Sequence, residues 1–93
     1  MREKEQRIVS IFKVLSSPTR FKIVKLLQNG EMCTSKIAEN LGKNKSTVSR
    51  HLKDLKDLDI VRYVTRDKYV FYRLKKDSVL GLIKYAEKIF GRE

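Results

Sequence analysis

The chain has 93 residues, with 22 Lys and Arg against 11 Asp and Glu, and its net charge is +11. A single Cys excludes an internal disulfide framework, and no apolar run approaches the ~18 residues that a membrane span needs. The charged N-terminus argues against a signal peptide, so we expect one cytoplasmic domain over residues 1–93. Such an excess of basic charge predicts a polyanion as the partner, either a nucleic acid or an anionic membrane surface.

Two helices are predicted in the first third of the chain. The first spans residues 2–15, where apolar residues recur every three or four positions and form one stripe. Ser17 and Pro18 mark the start of the second, because a serine can cap free N–H groups and proline lacks one. The predicted apolar face of this second helix consists of Phe21, Val24 and Leu27.

The third and fourth helices are joined by a tight turn. Thr34 or Ser35 is predicted to cap the third helix, and Gly42 to close it in the left-handed conformation. Asn44 is the predicted cap of the fourth helix, which continues to about Leu58 and buries a narrow apolar stripe. That stripe consists of Val48, Leu52 and Leu55. The other faces of this helix carry polar and largely basic side chains for solvent or a ligand.

Two strand-like runs follow, Ile60 to Thr65 and Tyr69 to Leu74, and both are rich in β-branched and aromatic residues. The short polar link from Arg66 to Lys68 makes them a hairpin. Asp77 or Ser78 begins a last amphipathic helix. The order ααααββα describes an α+β fold, mainly α, and the basic two-stranded hairpin predicts a winged helix-turn-helix.

Four sequence marks occur together within residues 15–74: SxPTRxxIxxLL, the GExC box, STVSRHLKxL, and the FYRL that ends the second strand. In these marks the chain resembles the ArsR/SmtB family of transcriptional repressors. The resemblance implies a dimeric, sequence-specific repressor that releases DNA on sensing a metal or another signal. Asp59 stands where relatives usually have glycine, so a left-handed residue is expected there.

The fourth helix carries the side chains that a reader of double-stranded DNA needs. The DNA major groove is about 12 Å wide and admits one α-helix, whose polar side chains reach base edges. Residues in the first two turns are placed to meet bases, and lysines at either end to meet phosphates, which give affinity without sequence information. An ordinary solvated helix face is the alternative. The candidate DNA-binding residues here are Lys43, Asn44, Lys45, Ser46, Thr47, Ser49, Arg50, His51 and Lys53.

The hairpin supplies a second group of candidates. Arg66 and Lys68 flank its tip and are expected over the adjacent minor groove or its phosphates. Arg62 and Arg73 could contact the DNA backbone from the strands. The aromatic residues of the hairpin are expected to pack within it, and stacking on single-stranded bases is the alternative.

His51 is the only histidine in the chain. The resemblance implies a DNA contact for it, because relatives commonly keep a histidine there. A partly buried histidine that packs beside Leu52 and Leu55 is the alternative, and the sequence leaves both open.

Many relatives bind soft metals through two cysteines in the box that opens the third helix. Here the box reads EMCTSKI, with Cys33 present and Ser35 at the second position. A structural zinc site takes about four Cys or His ligands, and the chain has one of each. The last helix, where other relatives use Asp and His pairs, has no histidine. We therefore expect no metal and no cofactor, and Cys33 as a small core residue, with thiol sensing as the alternative.

The first and last helices, over residues 2–15 and 78–90, offer more apolar surface than one small core can absorb. They are expected to form a homodimer that reads a near-palindromic operator, with half-sites about one helical turn apart. The predicted dimer interface consists of Ile8, Ile11, Phe12, Leu15, Leu82, Ile83, Ala86, Ile89 and Phe90.

Other classes of protein fit the sequence less well. An enzyme is not expected, since there is no paired His and carboxylate, no glycine-rich phosphate loop and no metal cluster. A membrane-surface protein is an alternative because the first helix is basic and amphipathic, although pairing with the last helix explains its apolar face better. Within DNA binding, a constitutive or architectural binder with no small-molecule inducer is the alternative to a ligand-responsive repressor.

Overall fold

The computed structural model describes residues 1–75 and 78–91, and within them five helices accompany a three-stranded sheet. In chain order the elements are α1 (Glu3–Leu15), α2 (Pro18–Leu27), β1 (Met32–Cys33), α3 (Thr34–Leu41), α4 (Lys45–Asp57), β2 (Val61–Arg66), β3 (Tyr69–Leu74) and α5 (Ser78–Ile89). The predicted α+β architecture, mainly helical, is confirmed. The predicted start of the last helix at Asp77 lies outside the described residues. None of the helices described is long and apolar enough to cross a membrane.

The sheet has one strand more than predicted. β1 pairs antiparallel with β3, so that Met32 lies opposite Tyr72 and Cys33 opposite Phe71, and the strand order is β1-β3-β2. A run of two residues carries no period-two pattern, so only the long-range pairing with β3 makes it a strand. The order of elements is therefore ααβααββα, with β1 inserted into the predicted ααααββα.

β2 and β3 form the wing, a hairpin with a shorter turn than predicted. Arg66, predicted to lie in the link, is the last residue of β2 and pairs with Tyr69. Only Asp67 and Lys68 remain in the turn. Asp67 has a φ of 57°, a left-handed conformation that aspartate adopts more readily than most residues. The tip of the wing is therefore tight.

Two helices begin at the predicted caps. The Ser17 side chain accepts a hydrogen bond from the Arg20 N–H at 3.2 Å, and Pro18 is the first helical residue of α2. The Asn44 side chain accepts a hydrogen bond from the Thr47 N–H at 2.8 Å at the start of α4. Each cap satisfies a backbone donor that the first turn of a helix leaves unpaired.

The predicted cap of α3 is wrong. The helix begins at Thr34 itself, so neither Thr34 nor Ser35 precedes it, and its cap position is Cys33 with no side-chain hydrogen bond. β1 leads directly into α3, and its pairing with β3 holds the entry of the helix. The Thr34 hydroxyl instead donates to the Val70 carbonyl in β3, at 3.5 Å.

Both predicted left-handed positions are confirmed. Gly42 ends α3 with a φ of 65°, and its N–H donates back into the last turn of the helix. Asp59 follows α4 with a φ of 61°. The chain can therefore reverse after α3 and turn into β2 immediately after α4.

The core lies between the helices and one face of the sheet. α4 contributes Val48, Leu52 and Leu55, which are fully buried, as predicted. In α2 the buried residues are Ile23, Val24 and Leu27, whereas Phe21, predicted to point inward, is 39% exposed. α2 packs against α1, α3, α4 and β3. Because it meets neighbours on several sides, its buried face is wider than one stripe and includes Ile23.

Candidate nucleic-acid interface

α3 and α4 form the helix-turn-helix, and the turn between them runs from Gly42 to Asn44. α4 packs its apolar stripe against α2, α3 and β2, so its remaining faces are open to solvent. Asn44 Oδ1 accepts hydrogen bonds from the Thr47 N–H and the Ser46 hydroxyl, at 2.8 and 2.9 Å. These contacts hold the first turn of α4, so Asn44 and Ser46 have a structural role in the cap.

The N-terminal half of α4 is exposed and basic. Of the predicted residues in this region, Lys43, Asn44, Lys45, Ser46, Ser49, Arg50 and Lys53 are exposed, and Thr47 and His51 are half-buried. The acidic residues of α4, Asp54 and Asp57, belong to its last two turns. Lys53 and Lys56 balance these two carboxylates, so the net positive charge of α4 lies in its N-terminal half, at the positive end of the helix dipole.

Lys53 has a partner on its own helix. Its Nζ lies 3.0 Å from Asp57 Oδ2, four residues later, and this hydrogen bond raises the pKa of the Lys53 amine. Both side chains are largely exposed, and ion pairs in such positions contribute little to stability. The Lys53 ammonium can therefore exchange this carboxylate for another anion at low cost.

The wing brings the predicted Arg66 and Lys68 to one end of the molecule, but in different surroundings. The Arg66 guanidinium stacks over the Phe71 ring, 4.1 Å from the ring centre, and hydrogen-bonds to both oxygens of the Glu31 carboxylate. These hydrogen bonds lower the pKa of Glu31. Lys68 is exposed in the turn. Arg66 is thus fastened to the loop before β1, while Lys68 stands at the tip.

One face of the wing is strongly basic. Arg62 and Arg73 lie directly opposite each other on β2 and β3, and both are exposed. Arg66 shares their face, because residues two or four apart on a strand point to the same side. Like charges in directly opposed positions repel each other. A nearby anion relieves this repulsion, and one is already present: the hydrogen bond from Arg66 and the charge of Arg73 both lower the pKa of Glu31 beside this face.

The aromatic residues of the wing make contacts within it, as predicted. Tyr63 and Tyr72 lie opposite each other with ring centres 5.6 Å apart, and Tyr69 meets Phe71 edge to face at 6.5 Å. Burial raises the pKa of Tyr72, whose ring packs against the core. These rings stabilise the hairpin that carries the basic residues.

The single histidine lies between α4 and α2. His51 Nδ1 is 3.2 Å from Nη1 of Arg20, and the same Nη1 donates to Asp54 at 3.3 Å. Burial lowers the pKa of the imidazole, and the positive charges of Arg20, Arg50 and Lys43 add to this effect. The side chain is half-buried, in keeping with the packing alternative, and its polar neighbour is Arg20.

The lowered pKa of His51 predicts an acid-sensitive contribution to folding stability. His51 has its ordinary pKa of 6.5 in the unfolded chain and a lower pKa in the folded chain, so the unfolded chain binds a proton more readily. The free energy of unfolding therefore falls as the pH drops below 6.5. The contribution is fully present above the unfolded pKa. We expect wild-type protein to lose more stability than His51→Gln between about pH 7.5 and about pH 5 in urea denaturation. Parallel pH profiles for the two proteins would contradict this prediction.

Cys33 lies at the end of β1, half-buried and opposite Phe71. It lies outside the core cluster of buried residues, so the prediction of Cys33 as a small core residue is wrong. His51, the only imidazole in the sequence, belongs to α4. Within the ranges 1–75 and 78–91, no three His, Cys, Asp or Glu side chains come together as a potential metal site.

A second exposed surface, on α1 and α5, is apolar. Phe12 is 55% exposed on α1, and Ile89 and Phe90 are 81% and 82% exposed at the end of α5. Between the two helices runs an open, mainly apolar groove of about 330 Å³ lined by Phe12, Leu15, Ser16, Phe21, Leu82, Ile83, Ala86, Glu87 and Phe90. Most of the predicted interface residues therefore lie on one connected surface.

Ile83, a residue of the predicted dimer interface, lines the groove but is mostly buried within the protomer. It is only 8% exposed and belongs to the core of the protomer. α5 is apolar on more than one face, and the sequence pattern does not separate the side that packs inward from the side left outside. Ile11, Leu15 and Leu82 are half-buried, whereas Ile8 and Ala86 are exposed.

Sequence reasoning missed two residues that hold the candidate site in place, Arg20 and Glu31. Arg20 contacts His51 and Asp54 on α4, and Glu31 fastens Arg66 of the wing. Both lie within the marks that carry the family resemblance, at the Arg of SxPTR and the Glu of GExC. Their partners are 31 to 35 positions away along the chain, so no local pattern shows the pairing.

Similarity to known structures defines the class of protein. The homodimeric winged helix-turn-helix DNA-binding domain of a possible ArsR-family transcriptional regulator from Mycobacterium bovis has a TM-score of 0.81 to this chain. The two are 26% identical, and the match covers 90% of this chain and 78% of that one. Together with the capped, exposed basic helix, this similarity defines a winged helix-turn-helix transcriptional regulator that binds DNA.

The particular family follows from the sequence. The family model described as "Bacterial regulatory protein, arsR family" matches residues 17–63. An uncharacterised HTH-type transcriptional regulator of Methanocaldococcus jannaschii is 39% identical over 88 residues, which cover 94% of this chain and 99% of the relative. The transcriptional repressor SdpR of Bacillus subtilis is 31% identical over 83 residues, 85% of this chain and 92% of SdpR. The chain belongs to the ArsR family of bacterial regulatory proteins, as predicted.

Proposed function

We propose that this chain is a homodimeric repressor, without catalytic activity, that recognises a specific double-stranded DNA sequence through α4. The observation that carries the proposal is the exposed, basic N-terminal half of α4, with its first turn held by the Asn44 cap. A single helix of this kind fits a DNA major groove. Arginine can pair with guanine through two hydrogen bonds, and hydroxyl groups can serve several bases. The side chains proposed to meet base edges are Ser46, Thr47, Ser49 and Arg50.

A second set of side chains is proposed to bind phosphates and to fix the register of the protein on DNA. These residues are Lys43, Asn44, Lys45, Lys53, Arg66 and Lys68, with His51 as a further candidate. Lys53 and Arg66 already contact carboxylates, so each would exchange an acidic partner for a phosphate oxygen. Lys68 is exposed in the turn at the tip of the wing and needs no such exchange.

We propose that each subunit is a single domain and that α1 and α5 of both subunits form the dimer interface. The exposed side chains of Phe12, Ile89 and Phe90 support it, because apolar patches of this kind mark protein interfaces. The similar domain from Mycobacterium bovis is described as homodimeric. Two α4 helices would then meet successive major grooves, about one helical turn apart, on a near-palindromic operator.

Selection of bound duplexes from random DNA tests the proposal. We expect the selected duplexes to share a near-palindromic sequence with two half-sites. The bound protein should protect both half-sites from cleavage on the same side of the duplex. Equal binding of all duplexes would contradict the proposal and support the constitutive or architectural alternative. Co-sedimentation with anionic vesicles in preference to DNA would support the membrane-surface alternative.

Loss of a proposed phosphate contact should weaken specific and random duplexes alike. Lys68→Ala and Lys53→Ala are each expected to reduce the salt dependence of binding by about one unit of slope per subunit, since each contact releases about one counterion. Fluorescence anisotropy titrations at several salt concentrations measure this slope. Lys22→Ala, which removes the same charge from α2, is the matched control and should leave the slope nearly unchanged. An unchanged slope in Lys68→Ala would remove the wing tip from the interface.

DNA binding is expected to be independent of metals. Cys33 lies on β1, and the His51 ring on α4 already has Arg20 as a neighbour, so the thiol and the imidazole of the chain belong to different elements. Zinc, cadmium, arsenite or copper should leave the affinity for the selected duplex nearly unchanged in the same titrations. Tight stoichiometric metal binding that releases DNA and is lost in Cys33→Ser would contradict this prediction.

A further inference from the structure

One arginine side chain joins three helices. Arg20, in the first turn of α2, donates through Nε to the Val14 carbonyl at 2.7 Å, close to the end of α1. Its Nη1 lies 3.2 Å from His51 Nδ1 and donates to Asp54 Oδ2 at 3.3 Å, and both of these residues belong to α4. The side chain is only 19% exposed. The guanidinium is thus held among acceptors from α1 and α4 while its backbone belongs to α2.

We propose that Arg20 is a positioning residue that sets the placement of α4 relative to α1, and so fixes the spacing of the two DNA-reading helices. The inference rests on the proposed function, in which α4 reads DNA and α1 forms part of the dimer interface. A planar guanidinium can donate in several fixed directions at once, whereas a lysine ammonium cannot reproduce this fork.

The placement of α4 matters more for sequence recognition than for binding to DNA in general. Half-site spacing in a dimer is a geometric quantity, and both helices must meet their base edges at the same time. Phosphate contacts are less demanding, because the DNA backbone offers the same charge at every step. A loosened α4 should therefore lose discrimination between sequences and retain its affinity for random duplexes.

The contact with Arg20 also fixes the chemical form of His51. The guanidinium of Arg20 can only donate, so Nδ1 of His51 must accept, and the proton of the neutral ring is on Nε2. Burial and the charges of Arg20, Arg50 and Lys43 lower the pKa of this ring, against the opposing charge of Asp54. His51 therefore offers an N–H donor on the side of the ring opposite Arg20.

A pair of double variants separates the contact from its charge. His51→Ala/Asp54→Ala removes both acceptors of Arg20 on α4, and His51→Gln/Asp54→Asn keeps an oxygen acceptor at each position with the same change of charge. We expect the first variant to lower the ratio of affinities for the selected and the random duplex by about tenfold relative to the second. Loss of the phosphate contact proposed for His51 would weaken the selected and the random duplex alike, so it leaves this ratio unchanged. The dimerisation constant should be the same in both variants.

The histidine supplies a second readout that does not depend on DNA. Because the chain has one His, its ring nitrogens give a single, unambiguous pair of ¹⁵N resonances. In wild-type protein these should show the Nε2–H form, and in Arg20→Lys they should show a mixture of the Nε2–H and Nδ1–H forms. A wild-type ring protonated on Nδ1 would overturn the inference.

The outcomes of the duplex experiment distinguish the inference from the function on which it rests. If selection yields no preferred duplex, the proposed function fails and the inference fails with it. If a preferred duplex exists and the two double variants discriminate equally well, only the role of Arg20 is overturned. Equal discrimination combined with lower stability of the alanine variant would leave Arg20 as a packing residue and would also overturn the proposal.

Discussion

The double substitution Phe12→Glu/Phe90→Glu is expected to convert the proposed dimer into a monomer and to lower the affinity for the selected duplex by about two orders of magnitude. Both side chains are more than half exposed and line the groove between α1 and α5. Four carboxylates brought together in the dimer would be desolvated without partners, which an interface cannot sustain. Each free monomer would then bind one half-site without the advantage of a linked second site.

Lys84→Glu provides a control with the same change of net charge. Lys84 is exposed on α5 and lies two residues from both Leu82 and Ala86, so it points away from the groove. This variant should remain dimeric in sedimentation equilibrium at micromolar concentration and keep most of its specific affinity. A dimer that survives both glutamates in the groove would show that the subunits meet through another surface.

Arg50→Ala is expected to cost about 1–3 kcal/mol on the selected duplex and to relax discrimination at one base position in each half-site. Arg50 is exposed in the second turn of α4, six residues after the Asn44 cap, where a helix inserted by its N-terminal half approaches the base edges. Binding titrations against duplexes that carry each base at each position measure the effect.

Lys53→Ala distinguishes recognition of bases from electrostatic attraction to phosphates. It removes one positive charge from the same helix, about one turn after Arg50. It should lower affinity for all duplexes in proportion and leave base preferences unchanged. If Arg50→Ala behaved in this uniform way and Lys68→Ala altered base preference instead, the wing would be the reader. The orientation proposed for α4 would then be wrong.

The parts of the fold that local chemistry dictates could be predicted from the sequence. The caps at Ser17 and Asn44, and the left-handed residues Gly42 and Asp59, depend on side chains and dihedral angles within a few positions of each other. The buried stripe of α4 likewise follows from a spacing of three and four residues. The exposed face of that helix, and most of the candidate site, could therefore be located before the structure was available.

The remaining features depend on contacts between distant segments, which leave no local pattern. β1 becomes a strand only by pairing with β3 about 40 positions later, and that pairing removes the expected cap of α3. The burial of Ile83 reflects how α5 rests on the rest of the protomer. Arg20 and Glu31 each form hydrogen bonds with distant residues. The sequence contains many other charged residues that could have been their partners, so these pairs could not be predicted.

The opposed arginines of the wing, Arg62 and Arg73, make the response to salt depend on the state of the protein. In the free protein, salt screens their repulsion and that of the +11 net charge, so the fold should become more stable. In the complex, salt weakens the attraction to phosphates. A polyanion that binds the folded chain more tightly than the unfolded chain will raise the melting temperature, whether or not its sequence is read. The rise in melting temperature with heparin, at the same total charge as the duplex, measures the effect of charge alone. Any further rise with the selected duplex measures sequence recognition.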